Sequence, residues 1–65
     1  MRVTVEVIGG EVHEVDLDDG TYADLLEAVG LSPNEASVVI DGRPVPEDAS
    51  VTETEVQVLR LIKGG

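Results

Sequence analysis

The stretch Glu55-Val56-Gln57-Val58-Leu59-Arg60-Leu61-Ile62, followed at once by Lys63-Gly64-Gly65, decides the fold. Its apolar residues fall on both parities, as a strand in the interior of a sheet requires. At the other end of the chain, Arg2-Val3-Thr4-Val5-Glu6-Val7 alternates strictly. Val3, Val5 and Val7 therefore share one face of a strand, and Arg2, Thr4, Glu6 and Ile8 share the other. An interior last strand needs neighbours, and connection rules place it beside the first and parallel to it, because the crossover is then right-handed.

The segments between them read in order. Gly9-Gly10 signals a two-residue hairpin turn, and residues 11–17 form a second strand with Val15 and Leu17 in phase. Val12 is out of phase, which leaves open whether it lies on the outer face or marks a bulge. Residues 21–29 form the helix, with Tyr22, Leu25, Leu26 and Val29 on one stripe. Thr21 and Asp24 have capping-box spacing, and Gly30 suits the left-handed residue after the last turn. Ser32-Pro33-Asn34-Glu35 repeats the capping signal and predicts a single helical turn. Residues 36–40 are a third strand, Asp41-Gly42 a hairpin, and Arg43-Pro44-Val45 a short strand held to an edge by Pro44 and Pro46. Residues 46–53 are a polar loop anchored by Val51. The expected architecture is α+β: a mixed sheet of four to five strands with one helix across one face.

Composition narrows the function. The 65 residues carry 14 acidic and 4 basic side chains, a net charge of −10, one aromatic residue and no cysteine. A chain this short is one domain, and it buries only about 60% of its unfolded surface without disulfide or thiolate-metal support. Hydrophobic residues at 42%, in periodic runs, argue for a folded chain despite the charge. Nucleic acid recognition rests on cations and aromatic stacking, and only Tyr22 can stack, so direct nucleic acid binding is not expected. Anionic membranes repel the chain, and basic protein surfaces attract it. No apolar run approaches a membrane span and no leader pattern opens the sequence, so a soluble, cytoplasmic monomer is expected.

The order of elements, the stretches Leu31-Ser32-Pro33-Asn34-Glu35 and Val38-Val39-Ile40-Asp41-Gly42-Arg43-Pro44-Val45-Pro46, and the ending Val58-Leu59-Arg60-Leu61-Ile62-Lys63-Gly64-Gly65 resemble the ubiquitin-like β-grasp family. The resemblance covers the whole chain. It is closest to the small archaeal modifier proteins, with thiamine-type sulfur carriers and the molybdopterin-synthase small subunit as relatives. The acidic, lysine-poor composition resembles the haloarchaeal members. A terminal Gly-Gly arises by chance in only about half a percent of chains, so joined to this order it is a specific signal.

The resemblance implies a division into a β-grasp domain, 1–62, and a flexible diglycine tail, 63–65. It implies that the Gly65 carboxylate is adenylated by an ATP-dependent activating enzyme and joined by isopeptide bond to target lysines. It also admits a thiocarboxylate sulfur-carrier role, with sulfurtransferases or tRNA-thiolating enzymes as further partners. ATP is used by the partner, and no cofactor is expected on this chain. Gly64 and Gly65 suit that chemistry because glycines let an extended tail thread a narrow channel. The chain is thus expected to be a substrate and carrier, not an enzyme. Parity places Ile8, Val39, Leu59 and Leu61 outward on the sheet, a candidate patch for the activating enzyme. Arg60 falls on the helix side near the strand end, where it can steer the tail. Lys63, the only lysine, is the candidate acceptor for chains, against the plainer reading of a solvated charge flanking the diglycine.

Other signals are weak. Asp16-Leu17-Asp18-Asp19-Gly20 lacks the calcium-loop register, with Thr21 where glycine is needed. His13 has no second histidine or cysteine to share a metal and reads as a strand surface residue. Tyr22 reads as core. No nucleophile, base and orienting group can be assembled. Two alternatives stay open: a dedicated sulfur carrier or synthase small subunit without conjugation, and a non-conjugating β-grasp binding module.

Overall fold

The computed structural model describes residues 1–61. Six elements follow one another: β1 (Arg2–Val7), β2 (Val12–Asp16), α1 (Tyr22–Ala28), β3 (Ala36–Ile40), β4 (Arg43–Pro44) and β5 (Glu55–Arg60). The strands make one five-stranded sheet in the order β2-β1-β5-β3-β4. β5 lies parallel to β1, with Val7 opposite Val58, and antiparallel to β3, with Val38 opposite Val58. The strand made last thus occupies the middle of the sheet, as its apolar character requires. This single helix on a mixed sheet is a β-grasp α+β fold.

The core forms where α1 meets the sheet. Val3, Val5, Val7, Val38, Val56 and Val58 are buried beneath Tyr22, Leu25 and Leu26. Burying these apolar surfaces supplies the main driving force of folding. Tyr22 also places its hydroxyl 3.5 Å from the Thr52 backbone N–H, so its polar end has a partner. Among the described residues no buried side chain is polar or charged, and no helix is long and apolar enough to cross a membrane.

Local chemistry sets the element ends. Thr21 caps α1, and Gly30, at φ +82°, takes the left-handed conformation that ends the helix. Asp41 and Gly42 both have positive φ, 54° and 80°, the pair of angles that a tight two-residue hairpin demands.

Several boundaries differ from the sequence reading. The first hairpin turns through residues 8–10, not Gly9-Gly10 alone: Val7 N–H donates to Glu11 C=O at 2.9 Å and Gly10 N–H to Val7 C=O at 2.8 Å. Ile8 is therefore drawn into the turn. β2 is shorter than 11–17, although Leu17 N–H still donates to Met1 C=O at 2.8 Å. The register of β1 on β2 is unbroken, with Val12 opposite Glu6, so Val12 lies on the outer face and there is no bulge. α1 loses Thr21 and Val29 to its caps. Residues 32–35 close a turn, not a helix, with the Glu35 carboxylate accepting from Ser32 N–H at 3.0 Å. β4 ends at Pro44, yet Val45 N–H reaches Val38 C=O at 3.0 Å and continues the pairing. β5 runs to Arg60, and Leu61 N–H donates to Glu35 C=O at 2.8 Å, the next rung of the β3–β5 register, while Ile62, expected at the strand's end, lies outside the described residues.

Candidate functional site

Parity along β5 divides the sheet. Val56 and Val58 face α1, so Glu55, Gln57 and Leu59 face the other way, on a surface that α1 does not cover. Across this outer face Thr4 and Glu6 come from β1, Val12 and Glu14 from β2, and Ser37 and Val39 from β3.

The expected patch is assembled unevenly. Ile8 N–H donates to Val58 C=O at 2.8 Å, which continues the β1–β5 ladder and sets Ile8 beside Leu59. Ile8 and Leu59 are each 44% exposed and lie side by side at the end of the face nearest the C-terminus; Leu61, 51% exposed, follows just past the end of β5, where it also borders a hollow with Leu26, Ala36 and Val45. Val39 is placed differently. It is half-buried and opposite Gln57, while Leu59 is opposite Ser37, so Val39 sits diagonally away from Leu59. The sequence reading had no way to see this offset, because it depends on the register between strands far apart in the chain. Val12, left open in the sequence between the outer face and a bulge and not counted in the patch, is 59% exposed, the most exposed of the large apolar residues among those described. Its out-of-phase position was the signal.

The charges around the site are mostly negative. Arg2 pairs with Glu14 at 3.2 Å across β1 and β2. The Met1 ammonium donates to Asp18 Oδ1 at 2.9 Å, and this contact holds the Asp18 carboxyl below its ordinary value. His13 is opposite Val5 and so lies on the helix-facing side of the edge strand, with its side chain one-third exposed. It was expected on the strand surface; the edge position is what keeps it partly open. His13 Nε2 lies 3.2 Å from Glu11 Oε2. The Glu11 carboxyl is lowered first by a backbone hydrogen bond and then by His13, with a smaller attraction from Arg60. Arg60 is exposed and opposite Ala36, close enough to Glu11 to act on its charge. Among the described residues no group of three or more potential ligands is arranged to hold a metal ion. Lys63, Gly64 and Gly65 lie outside the described residues.

Comparison with known proteins agrees with this architecture. A family model described as small archaeal modifier protein 2 matches residues 1–62. Small archaeal modifier protein 2 of Haloferax volcanii is 67% identical over the full length of both chains. An uncharacterised protein of Archaeoglobus fulgidus is 34% identical, again over the full length of both. A crystal structure of the H. volcanii small archaeal modifier protein 2 superposes with a TM-score of 0.74 at 66% identity, covering 97% of each chain. With fold and sequence in agreement along its length, the chain belongs to the small archaeal modifier protein 2 family of ubiquitin-like modifiers.

Proposed function

We propose that this chain is activated at its C-terminal carboxylate and transferred to lysines of other proteins. One observation carries the reading: the middle strand of the sheet, β5, runs in sequence directly into Leu61 and on to Lys63-Gly64-Gly65. A diglycine end that follows a strand paired on both edges starts from a fixed base. In the first step a Gly65 carboxylate oxygen attacks the α-phosphorus of ATP on an activating enzyme, and pyrophosphate leaves. In the second, a lysine amine attacks the acyl carbon, a C–N bond forms and AMP departs. If a partner's persulfide attacks the same adenylate, AMP departs and an acyl disulfide forms; a second partner thiol then attacks the partner-side sulfur, breaking the S–S bond to release the thiocarboxylate and leave a partner disulfide, all of the sulfur coming from partners because this chain has no cysteine. The chain is the substrate in each step, and the outer face carrying Ile8, Leu59 and Leu61 is the docking surface.

Mass spectrometry of the protein from its native cells tests the reading. Trypsin cuts after Lys63 and leaves Gly64-Gly65 on any modified lysine. Such remnants are the expected result, and a thiocarboxylate beside them adds the sulfur-carrier role. Free carboxylates alone, under conditions that preserve the labile forms, overturn the proposal in favour of a non-conjugating binding module.

A further inference from the structure

The outer face has two chemically different ends. Toward the C-terminus it is apolar, with Ile8, Leu59 and Leu61. At the opposite end, β1, β5 and the β3–β4 hairpin border a concavity of about 460 Å³. Its lining includes Glu6, Asp41, Glu53 and Glu55 around Val39 and Gln57. None of these four carboxylates is ion-paired within the described residues, and the one contact made is a hydrogen bond that Glu6 accepts from the Gln57 amide at 3.3 Å.

That combination selects an occupant. A long cationic side chain can lay its apolar stem over Val39 and set its charged head among the carboxylates. Two copies of this chain facing each other would oppose like charges, and nucleic acid or anionic lipid would be repelled in the same way. The concavity is also continuous with the apolar end: Gln57 lies two residues from Leu59, about 7 Å along the strand. A partner seated on Ile8, Leu59 and Leu61 therefore reaches it without a separate binding event.

We infer that the protein partner engaging the C-terminus inserts an arginine- or lysine-bearing segment into this acidic concavity while its apolar surface covers Ile8, Leu59 and Leu61. The inference rests on the modifier reading above and adds the chemistry of the partner. Charged rims of this kind govern encounter and partner choice more than the chemical step, so their loss is read in KM.

The test is ATP–pyrophosphate exchange by the activating enzyme of the same cells, with this chain as the varied substrate. A Glu6→Gln, Glu53→Gln, Glu55→Gln variant is compared with an Asp19→Asn, Glu27→Gln, Asp48→Asn variant, which removes equal charge from elsewhere. Circular dichroism establishes that both are folded at the assay salt. The first variant is expected to raise KM about tenfold with kcat unchanged and with a weaker dependence of KM on salt, while the second leaves KM alone. An equal rise in both variants, or a rise in neither, overturns the inference and leaves the modifier reading standing. Absence of exchange with the unaltered chain overturns the modifier reading itself, and this inference with it.

Discussion

Thr21 and Asp24 close each other's hydrogen bonds at the start of α1: the Thr21 hydroxyl accepts from Asp24 N–H at 3.3 Å, and the Asp24 carboxylate accepts from Thr21 N–H at 3.0 Å. A helix of seven residues has few internal bonds to spare, so its ends weigh heavily. Thr21→Ala is expected to cost about 1 kcal/mol. In a domain of this size that lowers the melting temperature by about 4–8 °C, readable by circular dichroism. Asp24→Ala should do the same, and the double variant should fall short of the sum, since both remove one reciprocal unit.

Leu25 is fully buried between α1 and the sheet. Truncation to alanine removes about 2–5 kcal/mol, transfer and cavity costs together. A 65-residue chain holds roughly 3–10 kcal/mol in total at ordinary stability per residue. Urea titration of Leu25→Ala should therefore show a chain substantially unfolded before much denaturant is added. A midpoint close to the original would show that the core is not centred on this residue.

Asp18 has its folded carboxyl depressed by the Met1 ammonium. Its stabilising contribution is therefore complete above the unfolded carboxylate value and is lost as pH falls through the lower, folded value. Asp18→Asn should melt below the parent at neutral pH, and the gap should close on acidification. The contact is exposed, so the gap is small. Acetylation of the Met1 amine should reproduce it. Melts of the three forms across the acid range decide the matter.

The net charge of −10 on so small a body predicts a salt-dependent fold. Screening acts within about 3 Å at 1 M salt but extends to about 30 Å at 0.01 M. Self-repulsion is thus expressed at low salt and suppressed at high salt. The melting midpoint should rise from low to molar sodium chloride, and a single midpoint at both would refute the expectation.

Much of the architecture is legible in the residues because short periodic runs report which face each side chain takes. Val3, Val5 and Val7 announce the core side of β1, and Thr21, Asp24 and Gly30 announce both ends of the helix. The central place of β5 follows from apolar residues on both its parities. Periodicity does not report register. Whether Val39 meets Leu59 or Gln57 depends on backbone pairing between β3 and β5, and only the folded sheet shows that Val39 meets Gln57. Ile8 was read as a strand residue because it continues the outer-face parity of Arg2, Thr4 and Glu6, while the turn it enters is set by hydrogen bonds from Val7 and Gly10. The acidic concavity was hidden for a related reason. Glu6, Asp41, Glu53 and Glu55 come from distant parts of the chain, and only the sheet brings them together.

The central position of β5 also gives the molecule a mechanical polarity. A machine that grips the C-terminal end and pulls draws first on the strand that joins the two halves of the sheet. Extracting that strand leaves the β1–β2 and β3–β4 hairpins without their shared partner, and isolated hairpins hold poorly in water. No partly stripped intermediate has a core to rest on. Pulling from this end should therefore unfold the body in one step, whereas the N-terminal strand can be peeled away with β5 still paired to β3.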